Sequence, residues 1–222
     1  MLRIGIITGL LEEAESFRPG SGRSRHDLPF YCRQGDDGWL LACAGIGKVN
    51  GTIAAMHLVA EGCRLLVSMG VAGRIGQGSE SCYRLDRAYQ HDYGRFDADR
   101  FVTYRAGSLP FGDAMPQSFN AVPDVGLDLP SATILTGDAF IADEGKASAI
   151  AEQFGAELVD METGAIAQVA DMHRIGWAGV RAVSDKADQT GIGAFKDNLQ
   201  KAAIEAARHV DRLVDLVHRA QH

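Results

Sequence analysis

LRIGIIT, residues 2–8, is a short β-branched apolar run without polar alternation, the pattern of a strand buried on both faces. It stops at Thr8-Gly9. Glu12, Glu13 and Glu15 follow at once, in what reads as the first turn of a helix, where carboxylates suit the positive end of the dipole. A doubly buried strand feeding straight into a helix is how an α/β fold begins, and the alternation persists along the chain.

Residues 30–33 and 39–44 read as two strands joined by a turn at 34–38, after a Gly-, Ser- and Arg-rich loop at 18–26. Over 48–61 the apolar residues Val49, Ile53, Met56, Val59 and Ala60 keep a helical period, and Gly62 is the expected stop. A second buried strand at 65–69 is followed by a glycine turn, Gly70-Val71-Ala72-Gly73. Strands are expected at 84–90, 101–104, 132–136, 157–159 and 179–183, and helices at 144–154, 161–173 and 195–218. The stretch 107–131 holds four of the six prolines, Pro116 among them, and reads as a long irregular loop. The expectation is one α/β domain over 1–222, with a central mixed, mostly parallel sheet flanked by helices.

Composition excludes several classes. With 22 Lys+Arg against 29 Asp+Glu, the net charge of −7 argues against a nucleic-acid partner, which needs clustered cations. No run approaches the about 20 apolar residues of a membrane span, so no membrane partner is expected. The N-terminus runs into carboxylates where a secretory leader needs small residues, and a cytoplasmic chain is expected. Cys32, Cys43, Cys63 and Cys82 form no CxxC pair, so buried free thiols are expected, without disulfide or zinc framework.

In open α/β sheets, ligands sit beyond the carboxyl ends of the strands. Four such places stand out: Glu12-Glu13, the turn at 70–73, Asp160-Met161-Glu162, and Ser184-Asp185. A lone carboxylate is ordinarily solvated. Three acidic strand ends together point to chemistry. Other motifs fall away: Gly45-Ile46-Gly47-Lys48-Val49 lacks phosphate-loop spacing, the glycines of 70–78 do not fit GxGxxG, and no Gly-x-Ser-x-Gly elbow occurs. His91, Asp92, Asp97 and Asp99 fit no metal motif, and His218 and His222 lie at the chain end, so neither metal nor cofactor is expected. Carboxylate chemistry in an apolar pocket remains.

The motifs Ile4-Gly5-Ile6-Ile7 with Glu12-Glu13, Gly45 to Val49, Gly70 to Gly73, Thr136-Gly137-Asp138-Ala139-Phe140-Ile141, Asp160 to Ala167 and Arg181 to Asp188 occur in a fixed order. In this the chain resembles the nucleoside phosphorylase/nucleosidase superfamily, and within it the 5′-methylthioadenosine/S-adenosylhomocysteine nucleosidases. The resemblance implies a three-layer sandwich and a purine nucleoside as the small-molecule substrate. It also implies a homodimer, in which the Pro-rich loop at 104–119 helps complete the neighbour's pocket. An ordinary mobile surface loop is the plainer alternative.

The resemblance further implies residue roles. Asp185 would be the general acid to the purine N7, Glu13 would activate a water, and Arg181 would help place the water or a carboxylate. Glu162 would hold the ribose hydroxyls, Met161 would pack under the sugar, Phe140 would stack on the purine and the Ile141 backbone would read its edge. Leu10, Ile46 and Phe195 would line the 5′-thio pocket, with Val71 also facing the substrate. Two departures stand out. Val71 replaces a serine common in such nucleosidases, and Arg74 brings a cation to the same turn. Both leave open another 5′ group or a phosphate acceptor, although Glu12-Glu13 would repel phosphate and favour hydrolysis. The alternatives are a relative acting on futalosine, an adenosyl-hopane or another nucleoside, and a non-catalytic nucleoside-binding or storage protein.

Overall fold

The computed structural model describes residues 2–98, 100–114 and 117–220; Asp99, Pro116 and His222, named above, lie outside them. Strand β1 (Ile4–Thr8) is buried along its whole length because both flanks are occupied, by β4 (Trp39–Cys43) and β5 (Leu65–Arg74), each parallel to it. Helix α1 (Leu11–Ser16) follows β1 directly. Strands β2 (Arg23–Arg25) and β3 (Tyr31–Gln34) extend the sheet beyond β4 in antiparallel fashion, so part of the expected 18–26 loop is an edge strand.

Helix α2 (Lys48–Ala60) leads into β5, which does not turn at Gly70 but continues as strand to Arg74. The rest comprises β6 (Cys82–Gln90), β7 (Gly94–Phe96), β8 (Phe101–Thr103), β9 (Phe119–Asn120), β10 (Ser131–Thr136), α3 (Glu144–Phe154), β11 (Leu158–Asp160), α4 (Thr163–His173), β12 (Gly176–Asp185) and α5 (Gly191–Arg219).

The sheet order is β11-β10-β6-β12-β5-β1-β4-β3-β2, and β11 returns to pair antiparallel with β5, Leu158 opposite Arg74 and Val159 opposite Gly73. That pairing closes β5, β12, β6, β10 and β11 into a ring. Within the sheet, β6 and β12 are antiparallel, as are the β2–β3 and β3–β4 pairs. The mixed sheet is therefore as expected, but it is a partly closed barrel and not the mostly parallel open sheet of a sandwich. The cause is the length of β5: its first half pairs with β1, and its second half bends round to reach β11.

Of three hydrophobic clusters among the described residues, the two largest flank the sheet. In one, α5 presents Ala202, Ala203, Ala206, Ala207, Val210, Val214 and Val217 to β5 and β12, small residues that let the helix sit close to the sheet. In the other, Ala54, Ala55 and Leu58 of α2 and Ile166, Ala167 and Ala170 of α4 cover Ile7, Leu40 and Leu66. All four cysteines are buried and unpaired in disulfides.

Candidate active site

The carboxyl ends of β1, β5, β11 and β12 meet at one cleft. Its walls include Leu10, Glu13, Ile46, Val71, Phe140, Ile141, Met161, Glu162, Asp185 and Phe195, ten of the eleven residues expected there. The eleventh, Arg181, lies underneath.

Glu13 is the third residue of α1 and folds back on its start. Its Oε2 accepts the N–H groups of Gly9 and Leu10, both at 3.0 Å, the way an N3 carboxylate satisfies unpaired donors at a helix start. Its Oε1 accepts the Val71 N–H at 2.8 Å, tying α1 to β5. Burial pushes the Glu13 pKa up, against the opposing pull of Arg181 and the three N–H donors.

Glu162 stands at the start of α4, and its Oε1 accepts the Gly47 N–H at 2.9 Å. Burial, with Asp160 alongside, pushes its pKa up to about 8, partly offset by Arg181. Asp185 ends β12. Its Oδ2 accepts the Ser184 hydroxyl at 2.8 Å and its Oδ1 the Ala187 N–H at 2.9 Å. Its pKa is nonetheless raised, because desolvation outweighs those two bonds. Gly73 and Gly191 border Asp185 closely: an added Cβ would lie 3.1 and 3.3 Å from its Oδ1.

Arg181 does not face the cleft; only 2% of it is exposed. Its Nη2 donates to Asp160 Oδ2 at 2.7 Å and to the Ser68 and Thr163 hydroxyls at 2.9 Å each, and its Nε also reaches Asp160. Asp160 in turn accepts Thr136 Oγ1 at 2.5 Å and the Thr163 N–H at 3.1 Å. This buried network was not legible as such. Asp160 stood beside Met161-Glu162 in the quoted motif, but nothing in the spacing tied it to Ser68, Thr136 or Arg181. Arg181 lies 4.0 Å from Glu162 Oε2, and its charge also acts on Glu13, so it supports the carboxylates from below.

The apolar walls are open at the rim. Phe140 is 45% and Ile46 47% exposed, and Phe140 meets Phe195 edge-on at 6.0 Å. Arg74 does not contribute a cation to this site: its Nη2 donates to the Glu80 carbonyl at 2.6 Å. Asp92 and Asp97, weighed above as metal ligands, are engaged by Lys48 at 2.6 Å and Arg95 at 2.8 Å.

Comparison with known proteins agrees with this geometry. A 5′-methylthioadenosine/S-adenosylhomocysteine nucleosidase of Mycobacterium bovis is 31% identical, over 80% of this chain and 81% of its own length. An aminodeoxyfutalosine nucleosidase of Campylobacter jejuni is 28% identical, covering 79% of this chain and 80% of its own. The solved structure of a Helicobacter pylori 5′-methylthioadenosine/S-adenosylhomocysteine nucleosidase with butyl-thio-DADMe-Immucillin-A superposes with a TM-score of 0.81 at 22% identity, covering 97% of this chain and 98% of that one. The sequence profile described as Phosphorylase superfamily matches residues 3–215. The chain belongs to the phosphorylase superfamily, in its 5′-methylthioadenosine/S-adenosylhomocysteine nucleosidase family.

Proposed function

We propose that this protein hydrolyses the N-glycosidic bond of 5′-thioadenosine nucleosides, releasing adenine and a 5-thioribose. The observation that carries this reading is the meeting of three buried carboxyl groups, Glu13, Glu162 and Asp185, in one cleft whose remaining lining is apolar apart from Asp160, Ser184 and glycines. Cleavage passes through an oxocarbenium-like sugar, so a site must protonate the departing base, steady the ribose and deliver water.

Asp185, whose pKa burial raises, gives a proton to the purine N7 as the bond to C1′ breaks. Glu13 orients a water and takes its proton as the oxygen bonds to C1′. Glu162 receives the ribose hydroxyls, and the developing positive charge favours its ionised form. Met161 packs its polarizable thioether under the sugar. Phe140 stacks on the purine, the Ile141 backbone reads its edge, and Leu10, Ile46, Val71 and Phe195 surround the 5′ substituent. Arg181 is a positioning residue in this scheme: it holds Asp160 and biases the two glutamates.

Hydrolysis over phosphorolysis is supported by the ring of acids and by the orientation of Arg74 toward Glu80, away from the cleft. The same reading makes the protein a cytoplasmic homodimer. Val49, Ile53 and Met56, 70%, 46% and 43% exposed, form an apolar stripe on α2 that begins three residues from Ile46 at the cleft mouth. Leu109 and Phe111 project from the Pro-rich loop, 76% and 70% exposed, as side chains that would reach a neighbour's pocket. The test is base release from methylthioadenosine, S-adenosylhomocysteine and aminodeoxyfutalosine, with and without phosphate. Phosphate-independent adenine release with the first two supports the proposal; a strict phosphate requirement overturns it.

A further inference from the structure

Away from the cleft, α5 and the start of β6 bring together three side chains from two distant stretches of the sequence. Glu205 and His209 are one turn apart on α5, and Cys82 opens β6; one ligand atom from each lies within 4.8 Å of the other two. An i, i+4 pair on a helix faces one direction, which is how two protein ligands are ordinarily offered to one ion. We propose that Cys82, Glu205 and His209 form a binding site for a zinc-type divalent cation, clipping α5 to β6.

The donor set selects the metal. A thiolate, an imidazole and a carboxylate suit Zn²⁺, or Co²⁺ in its place, and not the all-oxygen preference of Mg²⁺ or Ca²⁺. The fourth position is left to water. The surroundings are arranged as outer partners of such a site are. Ser81 Oγ donates to Glu205 Oε1 at 2.6 Å, fixing the carboxylate while its other oxygen stays available. Burial, with Arg208 and Arg212 nearby, lowers the His209 pKa, so the imidazole is neutral and able to ligate. Cys82 is only 3% exposed, and its thiol is pushed up to about 12 by burial, so the entering ion displaces the thiol proton to solvent. Two cations oppose the ion: Arg208, whose charge bears on both Cys82 and His209, and Arg212, whose charge bears on His209.

The other cysteines provide the control. Cys32, Cys43 and Cys63 are equally buried, and among the described residues none of them belongs to such a group. The experiment is a Co²⁺ titration of the full chain, followed by the near-ultraviolet thiolate-to-cobalt band and by displacement with Zn²⁺. One equivalent bound with a thiolate band is expected. Cys82→Ser should abolish the band, and His209→Gln and Glu205→Gln, on a half-buried helix face, should each weaken binding by about tenfold or more, the scale on which a metal site responds to a lost neighbour. Arg208→Ala should tighten it. Zn²⁺ should raise the Tm of the wild-type chain and not that of His209→Gln. Absence of the band, its survival in Cys82→Ser, or unchanged affinity in both helix variants overturns the proposal.

Discussion

A Cβ placed on Gly70 would lie 2.3 Å from Oε1 of Glu13. The same atom would stand 3.0 Å from Nη1 of Arg181, so the hydrogen at this position is what allows the carboxylate and the guanidinium to share one small space. Gly70→Ala should displace Glu13, whose Oε1 bond to the Val71 N–H fixes it from the same side. We expect a loss of about 10²-fold or more in turnover, the scale of a lost general base. The accompanying stability cost should be about 1–3 kcal/mol, as for overpacking. Near-normal adenine release with an unchanged unfolding midpoint would show that Glu13 is not held as described.

Asp185→Asn should lose about 10²-fold or more in turnover while folding normally, because the amide keeps the volume but cannot donate a carboxylic proton. The wild-type rate should fall on the alkaline side, as the raised pKa of Asp185 is passed and its proton is lost. A pH–rate profile of single-turnover base release checks both; an alkaline limb that persists unchanged in Asp185→Asn assigns the proton elsewhere.

Glu162 links the site to stability. Its pKa rises from 4.5 to about 8 on folding, so the folded chain holds that proton more tightly than the unfolded chain does. The resulting stabilisation is complete below the lower value and is lost as pH climbs to the upper one. Glu162→Gln cannot ionise. Relative to wild type, its Tm should gain progressively through this window and level off above it, while KM for nucleoside rises. A Tm difference independent of pH contradicts this assignment.

Arg181→Met removes one partner of a buried pair and leaves Asp160 charged beneath the cleft. Unfolding in denaturant should show a loss of about 3–5 kcal/mol. Adding Asp160→Asn to that variant should recover part of it, because the stranded charge goes too. If the two losses simply add, the pair at 2.7 Å is not energetically coupled.

Ile53→Glu puts a charge in the middle of the α2 stripe at a position already 46% exposed, so the fold should be spared. Sedimentation should show a dimer for wild type and a monomer for the variant, with KM rising more than kcat falls if a neighbour completes the pocket. A wild-type monomer of full activity refutes the dimer.

Much of this site could be read from the chain because its parts sit at strand ends. The doubly buried pattern of residues 2–8 located β1, and with it Glu13; the helical period of 48–61 located α2, and the Met-Glu and Ser-Asp motifs located the other two acids. What escaped depends on register. Gly70 to Gly73 has the composition of a turn, yet it is strand, because glycines there leave room for Glu13, Arg181 and Asp185. The pairing of β11 with β5, and the cluster of Ser68, Thr136, Asp160, Thr163 and Arg181, join residues up to 113 positions apart. No local pattern encodes either. The irregular stretch after Gly107 is as anticipated in the main: among its described residues, only the two-residue β9 and the first residue of β10 are strand.

The return of β11 to β5 limits how this site can vary. Glu162 follows and Asp185 ends a strand of the same closed ring, and Glu13 is bonded to one of its staves. Their mutual spacing therefore cannot drift without unzipping backbone pairs on both sides. Leu10, Ile46 and Phe195 hang on loops and helices outside that ring and are free to change. Under the proposed reading, substitutions at those three positions should change what is accepted at the 5′ end of a nucleoside, while the three acids keep the spacing that the ring imposes.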